Sequence, residues 1–303
     1  MPAHGSHRPH PHHVHLDEAD WEASVARTER EGELLVGFVT TTTRWIADLR
    51  GPAAPPVLRV LDIGSGPGVG SCELARAFPD AQVVAVDGSP AMLDRTARRA
   101  AEHGLDGRIT TRLADLPDGL DGLAPAQVVW ASMSLHHVGD EVRALQVLRA
   151  LVDPSGLLAV AEVAEPMRVL PDALDVGRPG LADRLHRAET EWFAAMRAGL
   201  ADSVPSADLP SMLTAAGFDV VGSRVEVQRY DPPLSDTARQ LVVERIRGAR
   251  HQLEDLIDED DRRALDVLGD GNDPRSAVHR ADVFVAASRL IVVARPHRSD
   301  ARP

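Results

Sequence analysis

The sequence predicts an α/β protein with a doubly wound, mostly parallel sheet, preceded by N-terminal helices and covered by a helical cap. From residue 57 onward, short apolar segments alternate with amphipathic segments at helical spacing, which indicates a parallel sheet with right-handed crossovers. The first apolar segment ends in a glycine-rich turn that opens a helix. The chain has 303 residues, 44% of them apolar, which is enough for a large buried core.

The N-terminal part of the chain divides in two. Residues 1–16 hold six of the thirteen histidines, interleaved with prolines, and we expect a disordered tail there. Its imidazoles could bind metal ions either as the function of the tail or only adventitiously. We assign no metal site. Apolar residues at three- and four-residue steps predict a helical segment over 17–50, and a proline-rich linker at 51–56 ends it.

A core over 57–165 is predicted to contain five strands. The strands are expected at 57–63, 82–86, 109–113, 127–131 and 157–163, with helices at 69–78, 90–103 and 141–151. Ser89 and Pro90 suit the N-cap and first position of the second of these helices. Beyond the core we expect a helical cap insert at 166–215, a second helical insert at 231–281, final strands of the sheet at 216–230 and 282–296, and a tail at 297–303.

Composition excludes several kinds of chemistry and partner. All 33 basic residues are arginine, which excludes Schiff-base and P-loop lysines and a Tyr-x-x-x-Lys hydride-transfer pair. Cys72 is the single cysteine, so we expect a small core residue and no internal disulfide. A formal net charge of −13 argues against nucleic acid. Apolar runs too short to span a membrane and the lack of a secretory signal favour a cytoplasmic protein without a membrane partner.

Residues 60–70 read Val-Leu-Asp-Ile-Gly-Ser-Gly-Pro-Gly-Val-Gly, a strand followed by a turn in which a ligand can touch bare main chain. The dinucleotide fingerprint Gly-x-Gly-x-x-Gly is not met, because its sixth position is Val69 or Ser71. Asp62 at the strand end is unfavourable for a pyrophosphate and suits a cationic cofactor. S-adenosylmethionine, with an ammonium and a sulfonium and no phosphate, fits this pattern.

The succession of motifs resembles the class I S-adenosylmethionine-dependent methyltransferases over residues 57–165. In that family the acid after the second strand holds the ribose hydroxyls, which corresponds to Asp87, 23 positions after Gly64. The resemblance implies a Rossmann-like methyltransferase fold of seven strands, the last one antiparallel between strands 5 and 6. One glycine of the family's Pro-Gly-Gly turn is missing, since Leu157 follows Gly156. The implied cofactor-binding residues are Asp62, Gly64, Ser65, Gly66, Gly68, Asp87, Gly88, Met92, Ala114, Asp115, Leu116, Ala131 and Ser132.

The acceptor side is less defined by sequence. His136 and His137 follow the fourth strand, where the family's methyl group faces; either could be a general base for a hydroxyl or acidic carbon, or only shape the pocket. A carboxylate acceptor would need no base. Trp192, Met196 and Tyr230 are candidates for the acceptor pocket, although an ordinary amphipathic helix would also explain the first two and an exposed strand end the third.

We therefore expect transfer of a methyl group from S-adenosylmethionine to a small molecule enclosed by the cap. A homodimer is compatible with the sequence. One alternative is a nicotinamide-dependent oxidoreductase on a similar sheet, which the absent third glycine disfavours. The other is a protein of this fold that binds the cofactor without methylating.

Overall fold

The computed structural model describes residues 18–204 and 208–297. The histidine-rich tail at 1–16 and residues 298–303 of the second tail lie outside the described residues. The helices are α1 (Glu18–Leu34), α2 (Gly37–Arg50), α3 (Val69–Ala77), α4 (Pro90–Glu102), α5 (Glu141–Leu151), α6 (Leu181–Ala198), α7 (Leu209–Ala215), α8 (Asp236–Gln252) and α9 (Glu259–Gly269). The strands are β1 (Arg59–Ile63), β2 (Gln82–Asp87), β3 (Ile109–Leu113), β4 (Ala126–Ser132), β5 (Val152–Arg168), β6 (Phe218–Tyr230) and β7 (Val285–Pro296).

The strands form one sheet in the order β3-β2-β1-β4-β5-β7-β6. Strands β1 to β5 are parallel, and β7 lies antiparallel between β5 and β6, so the predicted fold class is confirmed. Ile63 pairs with both Val86 and Ala131, which brings the carboxyl ends of β1, β2 and β4 to the same edge. The order reverses beside β1, and such a switch point is where open α/β sheets bind ligands.

Apolar clusters cover both faces of the sheet. One contains Leu74 of α3 and Ile46 of α2 against Val60, and the other contains Leu145 of α5 and Leu213 of α7. Helix α4 begins as the sequence predicts: Ser89 is the N-cap, and its hydroxyl accepts a hydrogen bond from the N–H of Met92. The capped helix is fixed at the strand ends, next to the edge just described.

The N-terminal helices and both inserts share a third apolar cluster. It joins Leu35, between α1 and α2, to Leu185 of α6, Leu241 of α8 and Leu265 of α9. Between β6 and β7 the chain forms α8 and α9, and residues 253–258 and 270–281 of the predicted helical insert are not helical. In the described part of the chain, no helix is both long and apolar enough to cross a membrane.

Strand β5 is longer than its sequence predicts. The predicted strand segment 157–163, apolar except for Glu162, is followed by Ala164, Glu165 and Pro166, and a proline at this place does not indicate a continuing strand. The structure nevertheless extends β5 to Arg168, which pairs with Ala286 of β7 after two register shifts. The antiparallel partner, which is more than a hundred residues away in sequence, supplies the pairing that extends the strand.

Candidate active site

The turn after β1 leaves one peptide bare toward a cavity. Gly66 has a φ of +52°, and a Cβ placed on it would meet no heavy atom within 4 Å. Its N–H donates to Oδ2 of Asp87 over 2.9 Å, and its carbonyl accepts from the hydroxyl of Thr96 over 2.8 Å. These two bonds fix the peptide groups on both sides of Gly66, so a ligand can lie directly against this main chain.

Gly68 is glycine for a different reason. It is the N-cap of α3 with a φ of +82°, and a Cβ there would lie 2.8 Å from Oγ1 and 2.9 Å from Cα of Thr96. Gly68 therefore allows α3 to begin in close contact with α4. It does not line the cavity, so its predicted place in the cofactor site is a packing position beside that site.

Asp87 ends β2 next to this peptide. Its Oδ2 accepts from the N–H of Gly66 and its Oδ1 from the N–H of Ser89, both over 2.9 Å. Burial raises the pKa of the Asp87 carboxyl, and the charge of Asp115 raises it further. Each carboxylate oxygen has a second lone pair, so the fixed group can accept two more hydrogen bonds, as a pair of ribose hydroxyls requires.

Asp62 is almost fully buried at the end of β1, with 2% of its surface exposed. The hydroxyl of Ser71 donates to its Oδ2 over 2.5 Å. Burial raises the pKa of this carboxyl to about 7, and the charge of Asp87 adds to the shift. A nearby cation would stabilise the ionised form of this buried acid.

A cavity of about 670 Å³ opens at this edge of the sheet, in the size range of small-molecule sites. Predicted residues that line it are Asp62, Gly64, Ser65, Gly66, Asp87, Gly88, Met92, Ala114, Asp115, Leu116, Ser132, His136 and His137. Ala131 is fully buried within β4 and does not line it. The hydroxyl oxygens of Ser65 and Ser134 are buried without a hydrogen-bond partner among the described residues, so the cavity wall offers unused polar groups.

His136 is held by an acid that the sequence did not single out. Its Nδ1 lies 2.6 Å from Oε2 of Glu162, on β5. The other oxygen of Glu162 accepts from the N–H groups of Ser134 and Leu135, over 3.1 and 2.9 Å. The carboxylate therefore orients the imidazole and the turn that carries it, an arrangement used by general bases and by purely structural histidines. His137 is exposed, and its ring centroid lies 4.1 Å from that of His136.

The opposite wall of the cavity comes from α1, α2 and β7. The sequence predicted these elements but not that their residues line the cavity. The residues of this wall are Arg27, Thr28, Glu31, Gly32, Leu35, Phe38, Val39 and Arg289. Helix α1 is held in place by ion pairs on both sides. Glu29 pairs with Arg95 and Arg99 of α4, each over 2.6 Å, and Arg30 pairs with Glu244 of α8 over 2.5 Å. The local signal for this wall in the sequence is Arg289, a charged residue followed by apolar residues of β7.

The predicted acceptor residues lie apart from this lining. Trp192 and Tyr230 pack against the apolar cluster shared by α1, α6, α8 and α9, and the hydroxyl of Tyr230 donates to the carbonyl of Leu34 over 2.5 Å. Met196 is partly buried on α6 and is likewise not among the lining residues. Phe193 of α6 comes nearest, with its ring centroid 5.6 Å from that of His136.

Comparisons with known proteins extend beyond the core. A family model described as a methyltransferase domain matches residues 60–156. The chain is 30% identical over 295 residues to a trans-aconitate 2-methyltransferase of Methylobacterium radiotolerans, covering 94% of each chain. It is 30% identical over 202 residues to the trans-aconitate 2-methyltransferase of Variovorax paradoxus, covering 64% of this chain and 68% of the relative. A crystal structure from Bacillus halodurans C-125, 16% identical, aligns with 86% of this chain and 99% of its own at a TM-score of 0.51, which shows the fold alone.

The similarity to the Methylobacterium enzyme runs through the helical wall as well as the sheet, and the chain therefore belongs to the class I S-adenosylmethionine-dependent methyltransferases. Within that class it is a methyltransferase of small molecules. The hypothesis of a nicotinamide-dependent oxidoreductase is not needed.

Proposed function

We propose that this enzyme methylates a carboxylate of a small polycarboxylic acid, and that trans-aconitate is a substrate. The observation that carries the proposal is the full-length similarity to the trans-aconitate 2-methyltransferase of Methylobacterium radiotolerans. The chemistry balances without a base: a carboxylate oxygen forms the new bond to the methyl carbon, the methyl–sulfur bond breaks, and its electron pair stays on sulfur. No proton is released, and the products are a monomethyl ester and S-adenosylhomocysteine.

The strand-end residues fit S-adenosylmethionine, which supplies a methyl group activated by its positive sulfur. Asp87 would accept from the ribose hydroxyls, and the bare peptide of Gly66 would lie against the amino-acid part. Asp62 would face the ammonium, since a buried acid with a raised pKa gains from a cationic partner. Unpaired hydroxyl oxygens of Ser65 and Ser134 are further acceptors or donors at this wall. Met92, Ala114 and Leu116 would flank the adenine.

The pair formed by His136 and Glu162 favours a second candidate, methylation of a hydroxyl. A hydroxyl acceptor has to lose a proton, and an imidazole oriented by a carboxylate is suited to take it. With a carboxylate acceptor the same pair only fixes the turn after β4 and borders the pocket. The two candidates therefore differ in whether His136 is needed for the reaction.

The deciding experiment uses S-adenosylmethionine carrying a labelled methyl group, with trans-aconitate and a hydroxy acid as separate acceptors. We expect label on trans-aconitate that mild alkali releases as methanol, because esters are cleaved by alkali and ethers are not. His136→Asn should leave the pH profile of this reaction unchanged. Alkali-stable label on the hydroxy acid, lost in His136→Asn, would instead establish the second candidate.

Asp87 provides the sharpest test of the cofactor assignment. We expect Asp87→Ala to weaken binding of S-adenosylhomocysteine by about 1–3 kcal/mol, because hydrogen bonds to a charged group are lost. Isothermal titration calorimetry measures this directly. Asp80→Ala is the matched control: Asp80 is an exposed acid before the opposite end of β2, and its removal should not change the affinity. Equal affinities of both variants and the wild type would retract the assignment of Asp87 to the ribose.

A further inference from the structure

Arg289 is a buried cation at the edge of the cavity. It lies in the middle of β7, opposite Val163 of β5, with only 7% of its surface exposed, yet it is one of the residues that line the cavity. The apolar residues Leu290, Ile291 and Val292 follow it in β7. Burial lowers the pKa of its guanidinium, and the charges of Glu31 and Glu162 act against this shift.

The contacts of Arg289 in the protein are weak for a buried guanidinium. Its Nη1 lies 3.4 Å from the carbonyl oxygen of Ser288, and its Nη2 lies 3.8 Å from Oε1 of Glu31, beyond hydrogen-bond distance. The guanidinium carbon lies 5.6 Å from the ring centroid of Phe38. Among residues 18–204 and 208–297, these are the polar and aromatic contacts of Arg289. A guanidinium has five N–H donors in a planar fork that matches a carboxylate. Most of that donor capacity is unused.

The charged groups around Arg289 indicate which kind of ligand would pair with it. Glu31 on α1 and Glu162 on β5 are the acids that act on it, and Glu162 is already engaged by His136 and by two backbone N–H groups. Arg245 is a second cation close enough to oppose its charge. The region thus has an under-compensated positive charge at the cavity, on β7 and not on β1 and β2, which carry the acids Asp62 and Asp87. An anionic ligand fits there better than a neutral or cationic one.

We propose that Arg289 binds a carboxylate of the acceptor that is not the one being methylated. This deepens the proposed function and rests on it. A guanidinium stabilises a bound carboxylate and so makes its oxygens poorer nucleophiles, which means that the anchored group is a second carboxylate. Arg289 therefore selects polycarboxylic acids: one carboxylate pairs with it in place of the long contact to Glu31, and another is left to accept the methyl group.

The test compares four proteins: the wild type, Arg289→Met, Arg289→Lys and Arg295→Met. Arg289→Met leaves behind Glu31, whose side chain is 30% exposed, so the substitution does not strand a fully buried charge and the variant should fold. Arg295 lies on the same strand but is exposed, and it serves as the control. The acceptors are trans-aconitate and the monocarboxylate crotonate, and trans-aconitate binding is also measured by calorimetry in the presence of S-adenosylhomocysteine.

We expect Arg289→Met to raise both KM and Kd for trans-aconitate by about 10–100-fold, the loss typical of hydrogen bonds to a charged group. Activity on crotonate and affinity for S-adenosylhomocysteine should not change, and Arg289→Lys should recover only part of the loss because lysine lacks the planar fork. Glu31→Gln should have the opposite effect and lower the KM for trans-aconitate. A KM within twofold of the wild type in Arg289→Met would overturn the proposal.

Failure of the proposed function has a separate signature. If the wild type transfers no methyl group to trans-aconitate, the proposed function is wrong for that substrate, while calorimetry still reports whether a tricarboxylate binds and whether binding depends on Arg289. If the wild type does methylate trans-aconitate, equal kinetics in Arg289→Met would refute the role of Arg289 alone.

Discussion

The two walls of the cavity are built in different ways and carry different charges. The wall at the strand ends comes from the continuous stretch 62–137, presents main chain at Gly66, and bears the acids Asp62, Asp87 and Asp115. The opposite wall joins α1 and α2 to the middle of β7 and brings in Arg27 and Arg289. A cationic cofactor suits the first wall and an anionic acceptor the second. On the proposed assignment, main chain at the strand ends would position the cofactor, and side chains from distant parts of the chain would select the acceptor.

The largest change in stability is expected from alanine at Gly68, and it contrasts with the effect of alanine at Gly66. Gly68→Ala should lower the free energy of unfolding by about 2–5 kcal/mol, because the new Cβ combines a left-handed φ with contacts to Thr96 under 3 Å. Gly66→Ala should cost only about 1–2 kcal/mol of stability but abolish detectable binding of S-adenosylhomocysteine, since its Cβ enters the cavity. Chemical denaturation and calorimetry measure the two quantities. Undiminished binding in Gly66→Ala would show that this peptide is not the contact surface.

A smaller effect is expected where α1 is attached. Burial alone would raise the pKa of the Glu29 carboxyl, but hydrogen bonds from Arg95 and Arg99 outweigh it and hold the pKa below its usual value. Glu29→Gln should therefore lower the free energy of unfolding by about 1–2 kcal/mol and speed tryptic cleavage within α1. Glu22→Gln, at an exposed position on the same helix, is the control.

The Glu29 variant also tests how independent the walls are. Loosening α1 should raise the KM for the acceptor more than the Kd for S-adenosylhomocysteine, because α1 carries residues of the second wall. Equal losses in both would mean that the two walls act as one unit, and the division drawn above would not hold.

The smallest effect is a pH dependence set by Asp62. Its folded-state pKa of about 7 lies above the ordinary value of 3.8, so the folded protein keeps a proton there that the unfolded chain loses. The contribution of Asp62 to the free energy of unfolding should therefore fall as pH rises from about 4 to about 7 and then level off, which comparison of the wild type with Asp62→Asn isolates. An ammonium partner favours the ionised form, so affinity for S-adenosylhomocysteine should rise by up to about tenfold between pH 6 and 8. Calorimetry across this range, on wild type and Asp62→Asn, should show the rise only in the wild type.

The sequence predicts site residues best where a polar residue lies at the end of a strand. Asp87 and Ser132 come at the ends of β2 and β4, and parallel strands must bring such residues to one edge. The glycine pattern located the turn but did not distinguish the roles of its glycines. Gly66 lines the cavity, whereas Gly68 packs on Thr96. That distinction depends on where α4 comes to lie, and a local motif holds no information about it.

Sequence patterns could not predict the second wall, because its residues are far apart in the chain. Arg289 and Glu31 are separated by more than 250 residues, and the insertion of β7 between β5 and β6 determines that they meet. Helical periodicity correctly marked a buried face on α6, but periodicity does not say what a face packs against. Trp192 faces the apolar cluster of the cap, and Tyr230 anchors the end of α1.

Strand β7 has a consequence for biosynthesis. It is the last described element to leave the ribosome, yet it fills the gap between β5 and β6 and forms ladders with both. Until it arrives, two long strand edges of the nascent protein have unpaired N–H and C=O groups, a state prone to intermolecular association. Cells that make this enzyme should therefore need chaperone protection late in its synthesis, when the nucleoside-binding half has already had time to fold.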